Sequence, residues 1–392
     1  MRALVLGVGM QGRAALHDLA TGGLFGEVVA ADRDVAAVAA EVRARGYSTV
    51  SCRGLDATDP SALDRLVGEG FTVVVDLLPA DLMGAVATAA VRHGAHVVHT
   101  MYVRPDLRAL GPEAEAKGLA ILPEFGMDPG IDLVMLGEAV RGLDEVTEVL
   151  SYGSGIPEPA AAEAPLRYKV SWSLEGMLRS YHRGARLLRS GAVVEIAPDA
   201  QFEPEHVHEV EVPGVGTLEA FPNGDAIRFL EEIGVDPSRV RDAGRYTLRY
   251  PGHCDFWRVV VRLGLLDDGP VAVDGLAVDR RRFLAAALAP RLAYREGERD
   301  LAILRVVVGG TRGGRARRVT YDLVDRKDLA SGLSAMSRLT GFTASIGAQL
   351  IVRGEIAGRG LLAPAKDVPY AALVRELGRR GISLAVAEAA GG

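Results

Sequence analysis

The stretch MRALVLGVGMQGRAALHDLATGGLFGEVVAAD, residues 1–32, decides the fold of the N-terminal part of this chain. It opens with a short apolar strand, Ala3 to Leu6. Three glycines at GxGxxG spacing follow: Gly7, Gly9 and Gly12. A helical segment comes next, and then a second apolar strand, Val28 to Ala31, which ends at Asp32. Strand, glycine turn, helix, strand and acid in this order are typical of a dinucleotide-binding βαβ unit.

Each glycine of this turn has its own physical task. The first permits the tight turn, the second lets the backbone approach a pyrophosphate, and the third lets the helix pack closely on the strand. The free N–H groups of the helix N-terminus then face the phosphates. Asp32 is suited to the ribose hydroxyls of NAD and would repel the 2′-phosphate of NADP, whereas Arg33 would accommodate that phosphate. We predict NAD as the cofactor, with NADP as the alternative.

The predicted cofactor-binding residues lie on the turns that follow predicted strands. They are Gly7, Gly9, Met10, Gln11, Gly12, Asp32, Arg33, Asp56, Ala57, Leu78 and Pro79.

Composition limits the class of protein. A chain of 392 residues with 48% hydrophobic and 24% charged residues is expected to form two domains of an ordinary globular protein. A net charge of −6 argues against a nucleic-acid-binding surface.

The chain has two cysteines, Cys52 and Cys254, and this number is too small for a disulfide framework or a structural zinc site. His206 and His208 are predicted on one solvent face of a strand, so no metal site is expected. No signal segment or membrane span is evident, and we expect a cytoplasmic protein.

The order of the predicted elements indicates an α/β fold with an inserted domain. The first 125 residues alternate strands and helices, and FTVVVDLL at 71–78 is a run typical of a buried parallel strand. Beyond Leu143 the strands alternate in polarity or pair as hairpins, which favours a mixed sheet in an α+β domain. We predict a Rossmann domain at 1–125, completed by C-terminal helices at 330–392, and a substrate-binding and dimerisation domain at 126–329.

Two further expectations follow from this arrangement. Ligands of a parallel sheet bind beyond the carboxyl ends of its strands. The residues that follow the ends of these strands are His99, Thr100, Met101, Tyr102, Glu124 and Asp128.

The predicted helix Leu329 to Arg353 carries apolar residues around much of its surface, which predicts a homodimer.

Long motifs in the chain resemble those of the saccharopine dehydrogenase superfamily, both its glutamate-forming saccharopine reductases and its bacterial lysine 6-dehydrogenases. In chain order they are GVGMQG at 7–12, LDATDP at 55–60, MYVRP at 101–105, EFGMDPGID at 124–132, SYGSGIP at 151–157, PLRYKVSWSLEGML at 165–178, GTLEAFPNGD at 216–225, YTLRYPGHC at 246–254 and GRGLLAP at 358–364. The resemblance implies a Rossmann domain with an inserted second domain, a homodimer, and NAD(P)-dependent hydride transfer at the carbon that bears the ε-nitrogen of lysine or of a lysine adduct. Either oxidation gives 2-aminoadipate 6-semialdehyde.

The two branches of this superfamily are not equally well matched. DPGID, YKVSWS and the PN of PNGD resemble saccharopine reductase, whereas YPGHC and ELGRRGI resemble lysine 6-dehydrogenase. Saccharopine reductases carry a cysteine where this chain has Gly153, and an arginine where it has Gly224. An arginine fork is suited to binding a carboxylate bidentately, and its loss favours lysine. Four cations in nearby motifs could substitute for it: Arg167, Lys169, Arg245 and Arg249.

Saccharopine is therefore the first predicted substrate and lysine the second. A non-catalytic NAD(H)-binding regulator is a third hypothesis, since function depends on the site and not on the fold.

Amine oxidation needs a group that removes the ammonium proton and then activates water to hydrolyse the imine. Tyr102 and Asp128, which resemble positions that line the family's pocket, are the predicted acid/base pair, with Glu124 next. Asp128 precedes Pro129, so it could instead cap a helix that begins there. The predicted substrate contacts are Lys169, Ser171, Asn223, Arg249 and His253. Lys169 and Ser171 would share one face of a strand.

Overall fold

The computed structural model describes residues 1–163 and 166–390, which form two compact units. The first unit contains Met1–Glu138 and Met336–Ser383. The second contains Ala139–Ala335 and the segment that starts at Leu384. Pro165, the first residue of the motif at 165–178, lies outside the described residues.

The N-terminal part of the first unit alternates strands and helices. The strands are β1 (Arg2–Leu6), β2 (Glu27–Asp32), β3 (Val50–Gly54), β4 (Val73–Asp76), β5 (His96–His99) and β6 (Ala120–Leu122). The helices are α1 (Met10–Thr21), α2 (Val35–Arg45), α3 (Pro60–Val67), α4 (Met83–Arg92), α5 (Pro105–Ala116) and α6 (Ile131–Arg141), with a short 3₁₀ turn at Ala80–Leu82. The capping residues match the local sequence: Asp34 accepts the Ala37 N–H at the start of α2, and Asp59 caps α3, which begins with Pro60.

The second unit is richer in strands. They are β7 (Glu145–Pro157), β8 (Ala185–Arg189), β9 (Ala192–Ile196), β10 (His208–Val212), β11 (Gly216–Pro222), β12 (Asp242–Arg249), β13 (Pro270–Val273), β14 (Leu276–Asp279), β15 (Asp300–Arg312) and β16 (Arg315–Arg326). Its helices are α7 (Leu174–Ser180), α8 (Ala226–Glu232), α9 (His253–Arg262) and α10 (Arg280–Leu288), with 3₁₀ turns at Pro159–Ala161 and Pro237–Arg239.

The C-terminal segment contributes to both units. Its elements are α11 (Ala335–Ser337), a π-helical turn (Arg338–Phe342), α12 (Thr343–Val352), β17 (Gly360–Leu361), α13 (Pro364–Asp367), α14 (Tyr370–Arg379) and β18 (Leu384–Ala390). Strand β18 pairs antiparallel with β16, with Leu384 opposite Leu323. The residues from Leu384 onward were predicted to belong to the helices of the Rossmann domain. Instead they form a strand of the second unit, because they pair with the edge of β16.

Two large sheets organise the described residues, and β13 and β14 form a separate antiparallel pair. The first is a seven-stranded sheet in the order β17-β6-β5-β4-β1-β2-β3, with every pair parallel. The second is a nine-stranded sheet in the order β10-β11-β12-β7-β15-β16-β18, and β8 and β9 extend it from β12. It is mixed, because β12 pairs parallel with β7 while the other pairs are antiparallel. The predicted fold class, a Rossmann-like parallel sheet plus a mixed-sheet domain, is confirmed.

The interior of the first unit explains why α12 is so apolar. This helix packs on α1, β4 and β5, and its residues from Thr343 to Ile351 are buried. Leu339 and Phe342 of the preceding turn are buried as well. The apolar residues that predicted a dimer face therefore fill the core of one unit, and that premise was wrong. Separately, none of the helices in the described part of the chain is long and apolar enough to cross a membrane.

Candidate active site

The glycine turn between β1 and α1 has the shape that a pyrophosphate needs. Gly7 has φ +82°, which favours glycine, and a Cβ on Gly12 would lie 1.9 Å from the Gly7 carbonyl oxygen. A Cβ on Gly9 would meet nothing within 4 Å, and no side chain caps the helix there. The free N–H groups of Met10 and Gln11 thus begin α1 beside open space, and these residues fit a dinucleotide.

The acid at the end of β2 is engaged with the backbone of the same turn. Asp32 Oδ2 accepts the Val8 N–H at 2.8 Å, and Oδ1 accepts the Asp34 N–H at 2.9 Å. Arg33 is exposed and makes no hydrogen bond or ion pair with the residues that the structure describes. Hydrogen bonds from Thr58 lower the pKa of Asp56, and the charge of Arg33 lowers it further, so Arg33 lies near Asp56. A guanidinium without a partner is therefore held at the carboxyl end of β2.

Glu124 ties the segment that carries Tyr102 to the end of β6. Its Oε1 accepts the Val103 N–H at 3.2 Å, and its own N–H donates to the Met101 carbonyl at 3.0 Å. Glu124 is buried with φ +57°, a strained backbone for a residue other than glycine. Tyr102 is 42% exposed. The structure thus brings the segment of the predicted acid, Tyr102, together with Glu124.

The surroundings of Asp128 differ from the capping alternative. Helix α6 begins at Ile131, not at Pro129, and Asp132 Oδ1 accepts the Gly130 N–H at 2.7 Å just ahead of it. Asp128 is half-buried three residues before the helix. The helix start at Pro129, on which the capping alternative depended, was wrong, because α6 begins two residues later.

One strand-end residue, Asp76, was not among the sequence candidates, and it is paired with His99, which was expected beyond the end of its strand. Asp76, the last residue of β4, and His99, the last of β5, are hydrogen-bonded with 2.8 Å between Oδ2 and Nδ1. Asp76 also accepts the N–H of Leu78, a predicted cofactor residue. The signal for Asp76 was a charged residue inside the apolar run FTVVVDLL, which a packing role does not explain.

In the second unit, the predicted substrate contact Arg249 lies at the centre of a buried aromatic cluster. Its Nε donates to the Tyr181 hydroxyl at 3.0 Å, and one terminal nitrogen donates to the Leu248 carbonyl at 2.8 Å. The guanidinium carbon lies 4.9 Å from the centre of the Tyr168 ring. Arg249 is 4% exposed, and no carboxylate of a described residue pairs with it. Since buried charges are nearly always paired, this cation points to an anionic ligand.

Histidine and tyrosine complete this cluster. His253 Nε2 lies 2.9 Å from the Tyr181 hydroxyl, which accepts from Arg249 and so donates its own proton to the imidazole. Burial and the charge of Arg249 hold the pKa of His253 well below its usual value, so the imidazole is neutral. Burial lowers the pKa of Arg249, but the neighbouring Tyr181 and Tyr168 raise it by more, so the pKa of the guanidinium lies above its usual value. The site therefore presents a fixed positive charge beside a neutral histidine.

Several buried polar atoms near this cluster have no partner among the described residues. They are Ser171 Oγ, Trp257 Nε1 and Tyr294 Oη. Trp257 packs against Tyr181 and His253, and Lys169 Nζ lies 6.0 Å from the centre of the Tyr294 ring. Buried polar groups rarely stay unsatisfied, so such a collection is typical of a binding site for a polar molecule.

The remaining predicted substrate contacts are placed differently. Lys169 and Ser171 are buried, but 166–172 is irregular and not the predicted strand, because the Val170 N–H pairs with the Leu292 carbonyl. Lys169 Nζ is 2.5 Å from Glu298, so its charge is already paired. The Asn223 side-chain oxygen accepts from Arg183.

The two neighbouring histidines do not share a solvent face as predicted. His208 begins β10 and packs against Tyr246 with 4.7 Å between ring centres, and its Nε2 lies 3.2 Å from the Tyr152 hydroxyl. His206 precedes the strand in a turn. Across the described residues, no group of three or more His, Cys, Asp or Glu side chains could hold a metal ion.

Family models match nearly the whole chain. The model described as the saccharopine dehydrogenase NADP binding domain matches residues 3–122, and the saccharopine dehydrogenase C-terminal domain matches residues 126–382. The chain is 28% identical over 430 residues to the NADP(+), L-glutamate-forming saccharopine dehydrogenase of Saccharomyces cerevisiae, covering 92% of this chain and 93% of that one. It is 27% identical over 375 residues to the mitochondrial alpha-aminoadipic semialdehyde synthase of Bos taurus, covering 79% of this chain and 40% of that protein.

Solved structures agree with these matches. Apo saccharopine dehydrogenase (L-Glu forming) from Saccharomyces cerevisiae superposes with a TM-score of 0.86 at 25% identity, covering 99% of this chain and 100% of that one. The homospermidine synthase of Legionella pneumophila, solved with NAD, shares the fold with a TM-score of 0.62 at 13% identity, covering 99% of this chain and 91% of that one. The resemblance drawn from the motifs is confirmed. This chain belongs to the saccharopine dehydrogenase family and is an NAD(P)-dependent oxidoreductase.

Proposed function

We propose that this enzyme oxidises saccharopine with NADP, releasing glutamate and 2-aminoadipate 6-semialdehyde. The activity for which the yeast relative is named supports this reaction, and the chain matches 93% of that protein's length. The single observation that carries the proposal is the buried, unpaired guanidinium of Arg249. A substrate carboxylate would supply the missing counter-charge, since a desolvated cation without a partner costs several kcal/mol.

A second cation supports saccharopine over lysine. Gly224 has φ +89°, and its Cβ position lies 3.7 Å from a terminal nitrogen of Arg183. Arg183 bonds to Asn223 but to no carboxylate among the described residues. We infer that Arg183 supplies the cation that the reductase branch supplies from position 224. Saccharopine carries three carboxylates and lysine one, so a second free guanidinium favours the larger substrate.

The proton steps are assigned to the first unit. The secondary ammonium of saccharopine must lose its proton before a hydride can leave the carbon on the lysine side. When bound, the dinucleotide supplies the hydride acceptor. We assign the ammonium proton to Asp128 and proton exchange with water and the leaving amine to Tyr102. Glu124, bonded to the Val103 N–H, holds the Tyr102 segment in place.

The atoms balance with water as the only other reactant. Loss of hydride from the neutral amine gives a protonated imine, water adds to its carbon, and the C–N bond breaks. Glutamate leaves with the nitrogen and the semialdehyde keeps the new oxygen. One proton is released for each hydride transferred.

NADP is proposed in place of the predicted NAD. The name of the matching family model and the name of the yeast relative both specify NADP. Arg33 is a free guanidinium that can bind the 2′-phosphate. The charge of Asp32 favoured NAD because it would repel that phosphate. This negative charge is partly offset, because both carboxylate oxygens accept backbone N–H groups.

The test is a comparison of catalytic efficiencies for saccharopine and lysine, each with NADP and with NAD, followed by the ultraviolet absorbance of the reduced cofactor. We expect saccharopine with NADP to give the highest value. A preference for lysine of about tenfold or more, equivalent to ~1.4 kcal/mol, would instead identify a lysine 6-dehydrogenase, the activity that Gly224 favours. Cofactor binding without turnover of either amine would identify a non-catalytic NAD(P)H-binding regulator.

A further inference from the structure

A buried carboxylate and imidazole join the carboxyl ends of two central strands. Asp76 and His99 lie directly opposite each other in the β4–β5 pairing, with 2.8 Å between Oδ2 and Nδ1. Their exposures are 4% and 1%. The other residues of β4 are valines, so packing alone would not place a charge here. A buried carboxylate is costly unless it is hydrogen-bonded, which suggests that the pair has a task.

Asp76 fixes the turn that follows β4. Its second oxygen, Oδ1, accepts the Leu78 N–H at 3.0 Å, while the Leu77 N–H donates to the Leu6 carbonyl at 2.9 Å. This turn abuts the first glycine of the dinucleotide site, because a Cβ on Gly7 would lie 3.0 Å from the Leu77 carbonyl oxygen. The carboxylate thus sets where the turn at 77–79 stands against the glycine turn.

His99 fixes the start of the next strand-end segment. Its carbonyl accepts the Phe125 N–H at 2.9 Å, two residues before the Met101 carbonyl accepts the Glu124 N–H at 3.0 Å. Tyr102 follows on this segment. The backbone of His99 therefore joins the start of the segment that carries Tyr102 to Phe125, while its imidazole binds Asp76 and so connects the same residue to the turn after β4.

The ring geometry shows what kind of task the imidazole performs. His99 Nδ1 is the donor to Asp76, since a carboxylate can only accept. His99 Nε2 is buried without a hydrogen-bond partner among the residues that the structure describes. A proton on Nε2 would have no acceptor, so the ring is suited to holding Asp76 in place and not to relaying protons.

We propose that Asp76 and His99 are a positioning pair, which holds the turn at 77–79 and the segment at 100–103 in the arrangement that the nicotinamide end of the cofactor requires. This inference rests on the proposed function only in that the enzyme binds NADPH. Removing the Asp76 side chain leaves the Leu78 N–H without its acceptor, and removing the His99 side chain leaves the carboxylate without its donor. Either change lets both segments shift. A displacement of about 1 Å at a reacting centre can cost ~10²-fold in rate, so small shifts are enough.

The experiment measures NADPH binding by fluorescence, without any amine, for the full chain, for four variants of the pair and for one control variant. Asp76→Ala and His99→Ala should each raise the Kd about tenfold or more, and the double variant should be no worse than either single one, since residues that act as one unit are not additive. Asp76→Asn keeps an acceptor for Leu78 and can donate to His99 Nδ1 once the imidazole proton moves to Nε2. Both hydrogen bonds keep their geometry at the cost of one buried N–H without an acceptor, so the Kd should stay within about threefold of wild type.

The matched control is His96→Ala, at the other end of the same strand. His96 Nδ1 accepts the Ala120 N–H at 3.0 Å, so this variant also removes a hydrogen-bonded histidine from β5. It should lower the thermal midpoint and leave the NADPH Kd unchanged. Hydrogen exchange of the cofactor-free protein gives a second measurement: Asp76→Ala and His99→Ala should increase exchange at 77–79 and 100–103, and His96→Ala should not.

Several outcomes would overturn the positioning role. Unchanged Kd and exchange in both alanine variants would reduce the pair to a packing feature, and additive losses would separate the two residues. If the alanine variants do not fold, Asp76→Asn decides, because a loss of tenfold or more in that variant contradicts a role through hydrogen-bond geometry. A wild-type protein that binds NADPH but does not oxidise saccharopine would refute the proposed function and leave this inference standing.

Discussion

Arg249 donates from Nε to the hydroxyl of Tyr181 over 3.0 Å, and both side chains are buried. The Tyr181 hydroxyl in turn donates its proton to His253 Nε2, and the imidazole stays uncharged. The arrangement orients the guanidinium without neutralising it, because neither the phenol nor the imidazole carries a negative charge. A cation fixed in this way can bind an anion with little rearrangement, and this is why we propose Arg249 as a substrate contact.

The first prediction concerns this cation. Arg249→Met should lower kcat/KM for saccharopine by ~10- to 100-fold, mainly through KM, because a charge-assisted hydrogen bond is worth about 1.5–3 kcal/mol. The thermal midpoint should not fall, since an uncompensated buried charge is removed. The control is Arg305→Met, because Arg305 is already paired with Asp322 at 2.6 Å. A large loss of stability with unchanged KM would make Arg249 a structural residue.

The second prediction concerns the missing arginine of the reductase branch. Arg183→Ala should lower kcat/KM for saccharopine about tenfold and leave any activity on lysine within about twofold, because the larger substrate has more carboxylates to pair. Gly224→Arg should not improve saccharopine use. The position has φ +89°, and the new side chain would begin 3.7 Å from the guanidinium of Arg183. Improved saccharopine activity in Gly224→Arg would contradict the role given to Arg183.

The third prediction concerns cofactor choice. Arg33→Ala should raise KM for NADP about tenfold or more and leave KM for NAD within about twofold, since only NADP has the 2′-phosphate. Asp32→Ala should weaken NAD and disturb the turn as well, because it frees the Val8 N–H. Arg13→Ala, which removes an arginine that is paired with Glu41, is the matched control. Equal effects of Arg33→Ala on both cofactors would rule out phosphate recognition.

The fourth prediction concerns proton transfer. Asp128→Asn keeps the size of the side chain and removes its basicity, so turnover should fall by ~10²-fold or more with NADPH binding retained. Asp132→Asn serves as a contrast, because the amide oxygen can still accept the Gly130 N–H ahead of α6, so turnover should stay near that of the wild type. Full turnover in Asp128→Asn would shift the role to Tyr102 or Glu124.

The fifth prediction concerns pH and stability. Burial, with help from Arg359, lowers the pKa of His96, and burial with Arg249 lowers that of His253. Both histidines take up a proton on unfolding once the pH drops below their unfolded value of about 6.5, so the free energy of unfolding should fall from there toward about pH 5. Each contributes at most ~1.4 kcal/mol per pH unit. Urea unfolding of wild type and His96→Leu across this range should show a shallower slope for the variant.

The oligomeric state gives a further test. Helix α9 exposes Phe256 and Val259 on one side, and Leu263 just after it continues this stripe. A stripe of this spacing on one helix face favours burial against a second copy of the chain. We expect a homodimer by light scattering that Leu263→Glu disrupts, whereas Val193→Glu, an exposed apolar position on β9, leaves it intact. A monomeric wild-type protein at micromolar concentration would refute this expectation.

Local patterns were enough to predict the parts of the molecule that depend on neighbours in the chain. The glycine turn and the acid at the end of β2 each follow from a few consecutive residues. The motif order was equally sufficient for the family. Periodicity failed where burial comes from distant elements. The helix predicted at Leu329 to Arg353 was interpreted as an interface, but its apolar residues fill a core. The alternating segment at 169–172 was predicted as a strand, but it packs irregularly.

By itself, then, the sequence determined the dinucleotide turn, the parallel-sheet class and the residue types of the candidate site, because local propensity and spacing encode them. Only the tertiary structure decided which charges are compensated. Lys169 forms an ion pair with Glu298, whereas Arg249 hydrogen-bonds only to neutral groups, although the sequence predicted both as cations that contact the substrate. It also paired Asp76 with His99 across two strands and set Arg183 beside Gly224. Pairing between residues far apart in the chain depends on strand register and packing, which spacing in one sequence does not encode.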